Sequence, residues 1–398
     1  MVRLILLTLA CLFTLPLSAQ DRAPVTILVS IDGFRPDYLN RGVTPRLNAL
    51  KAAGVSAAMR PSFPTVTFPN HYTLATGLRP DRHGIVGNSM EDPRKPGVVF
   101  TLSNTDPFWW SEAEPIWVTA EKAGVRTATM FWPGTEVDFA GTRPRDWWRY
   151  AKENTENQRV DAVVDWLRRP SATRPQFLTL YFDTVDAAGH EFGPDAAETN
   201  AAIAAADVQI GRLVDGVAAL GIVANFVIVS DHGMTATSPD RVIELWKIAR
   251  AKDYRTVTSG PYAGLEAQLR RAKRLEKALL RPHANMQCAR REDLPPALHY
   301  GKNARVPRYV CIAAPGWIIL GAPPAPDRKY YATGAHGYDP AAADMAALFV
   351  AAGPAFRKGV TVALFDNVDI YPLVARLIGV APRANDGDLA ELDAAFAP

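Results

Sequence analysis

The stretch VTILVSIDGF, Val25 to Phe34, is a continuous apolar run that ends at Asp32. It has neither the alternation of a half-exposed strand nor the period of an amphipathic helix. A short run of this kind predicts a strand buried on both faces, which is typical of parallel sheets. Two further runs have the same form, FLTLYFDTVDAAGH (177–190) and NFVIVSDHGM (225–234).

Helical patterns lie between these predicted strands. The segment AAIAAADVQIGRLVDGVAAL (201–220) places one apolar stripe at helical spacing, which predicts a helix packed on a sheet. The stripe consists of Ile203, Ala206, Ile210, Leu213, Val217 and Leu220. Alternating strands and helices predict an α/β fold with a mostly parallel central sheet and helices on both faces.

The composition is that of a globular protein, since 48% of the 398 residues are hydrophobic and 21% are charged. The 44 basic and 41 acidic residues nearly cancel, leaving a formal charge of +3. Because the two signs are also intermixed, the sequence indicates no nucleic-acid-binding groove.

The N-terminal residues MVRLILLTLACLFTLPLSAQ have an early arginine, a short apolar run and a small-residue exit at Ser18-Ala19. This pattern predicts a signal peptide over residues 1–19 and a catalytic domain over 24–398, exported to the periplasm or secreted. The run is interrupted by Pro16 and is shorter than the ~20 apolar residues of a membrane span. We therefore expect no stable membrane span after signal removal.

Residues 241 to about 328 differ in composition and are expected to form an insertion beside the site. They include the basic, helix-forming run QLRRAKRLEKALLRPH (268–283), which is either a solvated surface or a contact for an anionic substrate. Cys288 and Cys311 also lie here, and in an oxidising compartment they would form a disulfide; two buried thiols are the alternative.

Acidic side chains follow each of the three predicted buried strands. In parallel sheets ligands bind beyond the carboxyl ends of the strands, where these side chains would converge. Mixed carboxylate and imidazole ligands favour zinc, and the cluster therefore predicts a dinuclear metal site, although each histidine alone is more often structural. The candidates are Asp32, Asp186 with His190 one helical turn later, the adjacent Asp231 and His232, and His336 in the loop GAHGYDP.

The segment PSFPTVTFPNHYTLATG (61–77) holds several hydroxyls, of which Thr67 lies at the start of a helical pattern. A helix N-terminus favours a phosphate, and a metal bound to the threonine oxygen would make it a nucleophile. Asn88, in RHGIVGNSM, is a candidate donor to a phosphoryl oxygen, or else a turn residue.

The motifs SIDGFRPDYL, FPTVTFPNHYTLATGLRPDRHGIVGN, YFDTVDAAGH, SDHGM and AHGYDP resemble, in order, those of the nucleotide pyrophosphatase/phosphodiesterase family of the alkaline phosphatase superfamily. The resemblance extends from about Val25 to Asp339. It implies an alkaline-phosphatase-like sheet flanked by helices, with a small cap subdomain formed by the insertion.

The resemblance also implies roles for single residues. Two Zn²⁺ ions per chain are implied, one held by Asp186, His190 and His336 and the other by Asp32, Asp231 and His232. Thr67 would face both metals as the nucleophile, with Asn88 steadying the transition-state oxygens. Phe68 and Tyr181 would flank the base of the substrate.

The implied activity is the hydrolysis of nucleotide phosphodiester and pyrophosphate bonds, which releases nucleoside monophosphates through a phosphothreonine intermediate. The expected partner is a small nucleotide or other phosphodiester. A phospholipid or lysophospholipid head-group phosphodiesterase, a phosphomonoesterase and an inactive metal-binding protein remain as alternatives.

Overall fold

The computed structural model describes residues 23–324 and 332–397. The predicted signal peptide, residues 1–19, and the end of the predicted insertion, residues 325–328, lie outside the described residues. Within the described ranges, none of the helices combines the length and the apolar character that crossing a bilayer requires.

The helices of the described chain are α1 Pro45–Ala53, α2 Thr67–Thr76, α3 Pro80–His83, α4 Pro107–Trp110, α5 Ile116–Lys122, α6 Glu156–Leu167, α7 Thr184–Phe192, α8 Ala197–Ala219, α9 Leu245–Ile248, α10 Ala272–Leu279 and α11 Ile370–Leu377. The strands are β1 Val25–Ile31, β2 Val55–Arg60, β3 Met90–Glu91, β4 Val99–Phe100, β5 Thr127–Met130, β6 Asp146–Trp147, β7 Phe177–Phe182, β8 Ala224–Val229, β9 Thr235–Ala236, β10 Val242–Glu244, β11 Tyr254–Thr258, β12 Tyr262–Ala267, β13 Met286–Arg290, β14 Tyr309–Ala313, β15 Ile318–Leu320, β16 Gly334–Ala335, β17 Ala347–Ala352, β18 Val360–Thr361 and β19 Phe365–Asp366.

The central sheet has the strand order β18-β2-β17-β8-β1-β7-β5-β6, with β19 also paired to β2. The strand predicted from the opening stretch, β1, lies inside the sheet and pairs in parallel with β7 and β8. In this sheet β17 runs antiparallel to both of its neighbours, β2 and β8. The prediction of a mostly parallel sheet is therefore confirmed.

Both faces of β1 are buried, which explains why its sequence is apolar without alternation. Ile27 and Ile31 belong to one core, together with Ile203 of α8, whereas Leu28 belongs to a second core with Trp117 of α5. The predicted stripe of α8 is buried from Ile203 to Val217, and Leu220 follows as the half-buried residue that caps the helix.

The predicted insertion contains a separate antiparallel sheet of order β11-β12-β14-β13. This sheet has a core of its own, in which Leu275 of α10 packs with Leu265 and Tyr309. Cys288 on β13 and Cys311 on β14 are directly opposite each other and form a disulfide bond. The small second sheet agrees with a cap subdomain, and the boundaries at 241 and 328 stay a prediction.

Candidate active site

The site lies where the three central strands end. Ile31 of β1 is opposite Phe182 of β7, and β8 ends at Val229 on the other side of β1. Because the three strands are parallel and adjacent, the residues that follow them meet at one edge of the sheet. These residues include Asp32 after β1 and Asp231 after β8.

Asp32, Asp231 and His232 form a buried group whose possible ligand atoms all lie within 4.8 Å of one another. Nε2 of His232 is 3.0 Å from Oδ2 of Asp231 and 3.4 Å from Oδ1 of Asp32. The turn after β8 lets two successive residues face the same point, which an extended backbone would not.

Asp186, His190 and His336 form the adjacent group. Helix α7 begins at Thr184 and places Asp186 and His190 one turn apart, with His190 Nε2 3.5 Å from Asp186 Oδ2. Nε2 of His336 lies 3.5 Å from Asp186 Oδ1 and 3.0 Å from His190 Nε2. The rings of His336 and His232 are stacked at 3.5 Å, so the two groups form one continuous cluster, called the ligand cluster below.

The three histidines of the cluster, His190, His232 and His336, are oriented by backbone carbonyls. Each places Nδ1 within hydrogen-bond distance of a main-chain oxygen, which makes Nδ1–H the donor and leaves the Nε2 lone pair facing the cluster. The acceptors are the carbonyl oxygens of Gly334, Gly233 and Thr65, at 2.8, 3.0 and 2.9 Å respectively. This arrangement is the one that metal-ligating histidines adopt.

Three buried carboxylate oxygens of the cluster have no hydrogen-bond partner, namely Asp32 Oδ1, Asp186 Oδ1 and Asp231 Oδ2. Burial, and then the negative charges of Asp231 and Asp186, raise the pKa of Asp32 well above its ordinary value. Burial and the neighbouring histidines lower the pKa of His336, which favours the neutral imidazole that binds metals. Converging carboxylates and imidazoles fit divalent cations, and for zinc the donor types are suitable.

The threonines of residues 61–77 differ in their partners. The Thr65 hydroxyl donates to the Tyr338 carbonyl at 2.9 Å, and Thr73 Oγ1 lies 3.0 Å from His83 Nε2. Thr76 donates to a carbonyl of its own helix. The Thr67 hydroxyl, at the first residue of α2, lies 3.5 Å from His232 Nε2, its one side-chain partner among the described residues. Thr67 is thus the threonine of this segment that faces the ligand cluster.

Asn88 is held beside Thr67 by its side-chain oxygen. Oδ1 of Asn88 accepts a hydrogen bond from the Phe68 N–H at 2.9 Å. Because a backbone N–H can only donate, the side-chain atom that it contacts must be the amide oxygen of Asn88. The Nδ2 group of Asn88 is then the end of the side chain that can donate a hydrogen bond. The predicted donor therefore lies next to the predicted nucleophile, at the N-terminus of α2.

A cavity of about 500 Å³ opens from the ligand cluster, with Asp32, Thr67 and Asp186 in its lining. Several aromatic side chains also line the cavity, and we call four of them the pocket wall: Phe68, Trp110, Phe131 and Tyr150. The volume lies in the range of cavities that enclose small-molecule ligands.

Tyr181, predicted to flank the base, is engaged differently. Its hydroxyl donates to Asp32 Oδ2 at 2.6 Å, and its ring packs edge-on against His71. Tyr181 does line the cavity, yet it holds a predicted metal ligand, whereas Tyr150 is 45% exposed at the same cavity. Phe68, Tyr150 and Tyr181 thus line one cavity, and Tyr150 is a further candidate for contact with a substrate. Tyr150 was not singled out from the sequence, since no motif distinguishes it from the neighbouring Trp147 and Trp148.

Comparisons with known proteins agree with this geometry. The chain matches the model of the type I phosphodiesterase / nucleotide pyrophosphatase family over residues 26–339. It is 36% identical over 379 residues to an uncharacterized pyrophosphatase/phosphodiesterase of Schizosaccharomyces pombe, a match covering 91% of this chain and 78% of that protein. It is also 36% identical to ectonucleotide pyrophosphatase/phosphodiesterase family member 1 of Mus musculus, with 94% of this chain and 43% of that protein covered. The chain thus spans less than half of the mouse relative.

A solved structure of murine ectonucleotide pyrophosphatase/phosphodiesterase 5, in an inactive threonine-to-alanine form in complex with AMP, superposes with a TM-score of 0.89. The two sequences are 32% identical, and the match covers 94% of this chain and 100% of that one. Sequence and fold agree over nearly the whole chain, and the protein therefore belongs to the type I phosphodiesterase / nucleotide pyrophosphatase family, with the alkaline-phosphatase-like fold that the sequence predicts.

Proposed function

We propose that this protein hydrolyses nucleotide phosphodiester and pyrophosphate bonds with two Zn²⁺ ions and releases nucleoside monophosphates. The observation that carries the proposal is the position of Thr67, whose hydroxyl is at once at the helix N-terminus, beside the ligand cluster and in the lining of the aromatic cavity. The AMP bound to the murine relative supports a nucleotide as the substrate class.

Thr67 would act as the nucleophile. Its Oγ forms a bond to phosphorus while the bond from phosphorus to the leaving oxygen breaks, which gives a phosphothreonine. Water then attacks phosphorus, the bond to Thr67 Oγ breaks, and the hydroxyl is regenerated with the nucleoside monophosphate as product. Zinc held by Asp186, His190 and His336 and by Asp32, Asp231 and His232 would stabilise the ionised hydroxyl and the phosphoryl charge.

Asn88 and the start of α2 would hold the transferred phosphoryl group. The Nδ2 amide of Asn88 and the N–H groups of the first helical turn donate to phosphoryl oxygens, whose charge grows toward the transition state. Phe68 and Tyr150 would enclose the base, because stacking on rings accepts any nucleobase. The disulfide between Cys288 and Cys311 supports export, since such bonds persist in oxidising compartments.

The test compares four substrates on the zinc-loaded protein: a nucleoside 5′-(p-nitrophenyl phosphate), bis(p-nitrophenyl) phosphate, p-nitrophenyl phosphate and lysophosphatidylcholine. We expect the highest kcat/KM for the nucleoside diester, with the nucleoside monophosphate as product. A preference for the lysophospholipid would replace the nucleotide assignment by a lipid one. Turnover on none of the diesters, with two zinc ions bound, would contradict an enzymatic function.

A further inference from the structure

A buried arginine that is not part of the cavity lining contacts several residues that are. Arg159, on the first turns of α6, is 2% exposed. Its guanidinium donates to the carboxylate of Asp183 at 2.7 Å and to the carbonyl of Tyr181 at 3.0 Å, and it lies 5.0 Å from the ring centre of Phe131. Each of these three residues lines the cavity.

The contact with Asp183 extends to the exposed ring of the pocket wall. The Asp183 carboxylate accepts from Arg159 on Oδ1 and from the Tyr150 hydroxyl on Oδ2, at 2.9 Å. The Arg159 guanidinium also lies 5.9 Å from the ring centre of Tyr150. Tyr150 is thus held at its hydroxyl by a carboxylate that is itself held by a buried cation.

Asp183 and its neighbour also connect α6 to α7, the helix that carries part of the ligand cluster. Asp183 is the residue that precedes α7, and Thr184, the first residue of α7, donates to Glu156 of α6 at 2.5 Å. Side chains from the first turn of α6 therefore bind two neighbouring residues, Asp183 and Thr184. Helix α6 therefore supports both the start of α7 and two rings of the pocket wall, Phe131 and Tyr150.

The conformation of the wall needs such a support. Phe131 has a φ of 63°, a left-handed conformation that costs free energy for a residue with a side chain. Tyr150 follows a two-residue strand at the edge of the sheet and is 45% exposed. The Tyr150 N–H donates to Glu136 at 2.7 Å, and its ring packs against Phe131, which is itself buried in the core. The side-chain contacts to Asp183 and Arg159 add the support that reaches the exposed end of the Tyr150 ring.

We propose that Arg159, together with Asp183, is a positioning residue for base recognition, holding Tyr150 and Phe131 as one side of the nucleoside subsite without touching the substrate. This inference rests on the proposed nucleotide function. A guanidinium suits this task because it donates in two directions: Nη1 to the Asp183 carboxylate and the Tyr181 carbonyl, and Nε to the carbonyl of Asn154 at 2.9 Å. Lysine has a single ammonium group and cannot make the Nη1 and the Nε contacts together.

The first experiment measures KM and kcat of Arg159→Lys and Arg159→Met on the nucleoside 5′-(p-nitrophenyl phosphate) and on bis(p-nitrophenyl) phosphate, which has no base. We expect KM for the nucleoside diester to rise roughly 10-fold or more in Arg159→Met and less in Arg159→Lys, with a much smaller change for the base-free diester. Arg168→Met, which removes an exposed ion pair from the end of the same helix, is the matched control. Equal losses on both substrates would overturn the proposal in favour of a purely structural role.

A double-mutant cycle tests whether Arg159 acts through Tyr150. If it does, Arg159→Met should add little on the Tyr150→Ala background, because the ring that it positions is already absent. Fully additive effects would overturn the proposal. Should Arg159→Met fail to fold, Tyr150→Phe is the alternative variant, because it removes only the hydroxyl contact to Asp183. An unchanged KM for the nucleoside diester in both Tyr150→Phe and Arg159→Lys would also overturn the proposal.

The crystal structure of Arg159→Lys separates this proposal from the proposed function. Displacement or disorder of the Tyr150 ring supports positioning by Arg159 whatever the substrate is. An unmoved ring overturns it, even if the wild-type enzyme prefers nucleotides. A wild-type enzyme that does not distinguish the two diesters would instead contradict nucleotide recognition, whereas the displaced ring would still establish the positioning role.

Discussion

The ligand cluster and the pocket wall adjoin each other at the edge of the sheet, but the two regions are held in different ways. The aspartates of the cluster follow β1 and β8 or lie in the first turn of α7, and its histidines are oriented by backbone carbonyls. The rings of the wall come from α2, α4 and the segments around residues 131 and 150, and at Tyr150 the orientation comes from side chains. The predicted metal ligands are thus positioned mainly by the backbone, whereas Tyr150 of the pocket wall is positioned by side-chain contacts.

This difference separates the expected effects of substitution. Changes in or beside the ligand cluster should reduce kcat on every diester, because each substrate presents the same phosphoryl group. Changes in the wall should act through KM and only on substrates with a base. Single substitutions in the two regions should therefore differ in whether kcat or KM changes.

Thr67→Ala removes the attacking oxygen and leaves all six predicted metal ligands. We expect kcat to fall by roughly 10⁴-fold or more on diesters with and without a base, with zinc content unchanged. Thr67→Ser keeps a hydroxyl and should retain part of the activity. Thr65→Ala is the control in the same segment, and an inactive Thr65→Ala enzyme beside an active Thr67→Ala enzyme would refute the assignment.

His336→Ala removes one predicted ligand and should lower the zinc content measured by atomic emission from two ions per chain toward one. We expect kcat to fall by roughly 10³-fold, because the remaining charge no longer balances the phosphoryl group. His283→Ala is the matched control, since His283 contacts the carbonyl of Leu279 at the end of α10 and is not one of the predicted metal ligands. Chelation should abolish activity and zinc should restore it; full activity after exhaustive chelation would rule out metal dependence.

Asn88→Ala should cost roughly 10²-fold in kcat, the usual effect of deleting one donor to a developing oxyanion. Asn88→Asp is the sharper variant, because its carboxylate still accepts from the Phe68 N–H but offers no donor and adds negative charge. We expect it to be at least as inactive as the alanine variant. If Asn88→Asp instead matched the wild type, Asn88 would serve only to fix the start of α2.

Tyr150→Ala should raise KM for the nucleoside diester by about 5- to 150-fold, the range of one lost base stack, with little change for bis(p-nitrophenyl) phosphate. Tyr181→Phe is compared with it, because it deletes only the hydroxyl that donates to Asp32. We expect a few-fold effect from Tyr181→Phe, seen in kcat and equal on both substrates. A reversed pattern, with the base-specific loss at Tyr181, would support Tyr181 as the residue beside the base, as predicted from the sequence.

The central sheet and the convergence of the predicted metal ligands at its edge could be inferred from the amino-acid sequence alone. A run such as Val25–Ile31 is apolar at every position only when both faces of a strand are buried, and parallel neighbours bring the residues after each strand to one edge. Asp32, Asp231 and His232 were therefore predictable, since local pattern and strand direction suffice. The start of α2 at Thr67 was also predicted correctly, because helix boundaries have local signals.

The partners of individual side chains could be found only from the tertiary structure. Tyr181 was predicted beside the substrate, which stays a prediction; the structure adds that Asp32, 149 residues earlier in the chain, accepts a hydrogen bond from its hydroxyl. Thr65 and Thr67 look alike in sequence, and the carbonyl of Tyr338 engages the first and leaves the second facing the cluster. Such partners are distant in sequence and are chosen by distances of a few ångströms, so hydrophobic periodicity and motif spacing contain no information about them.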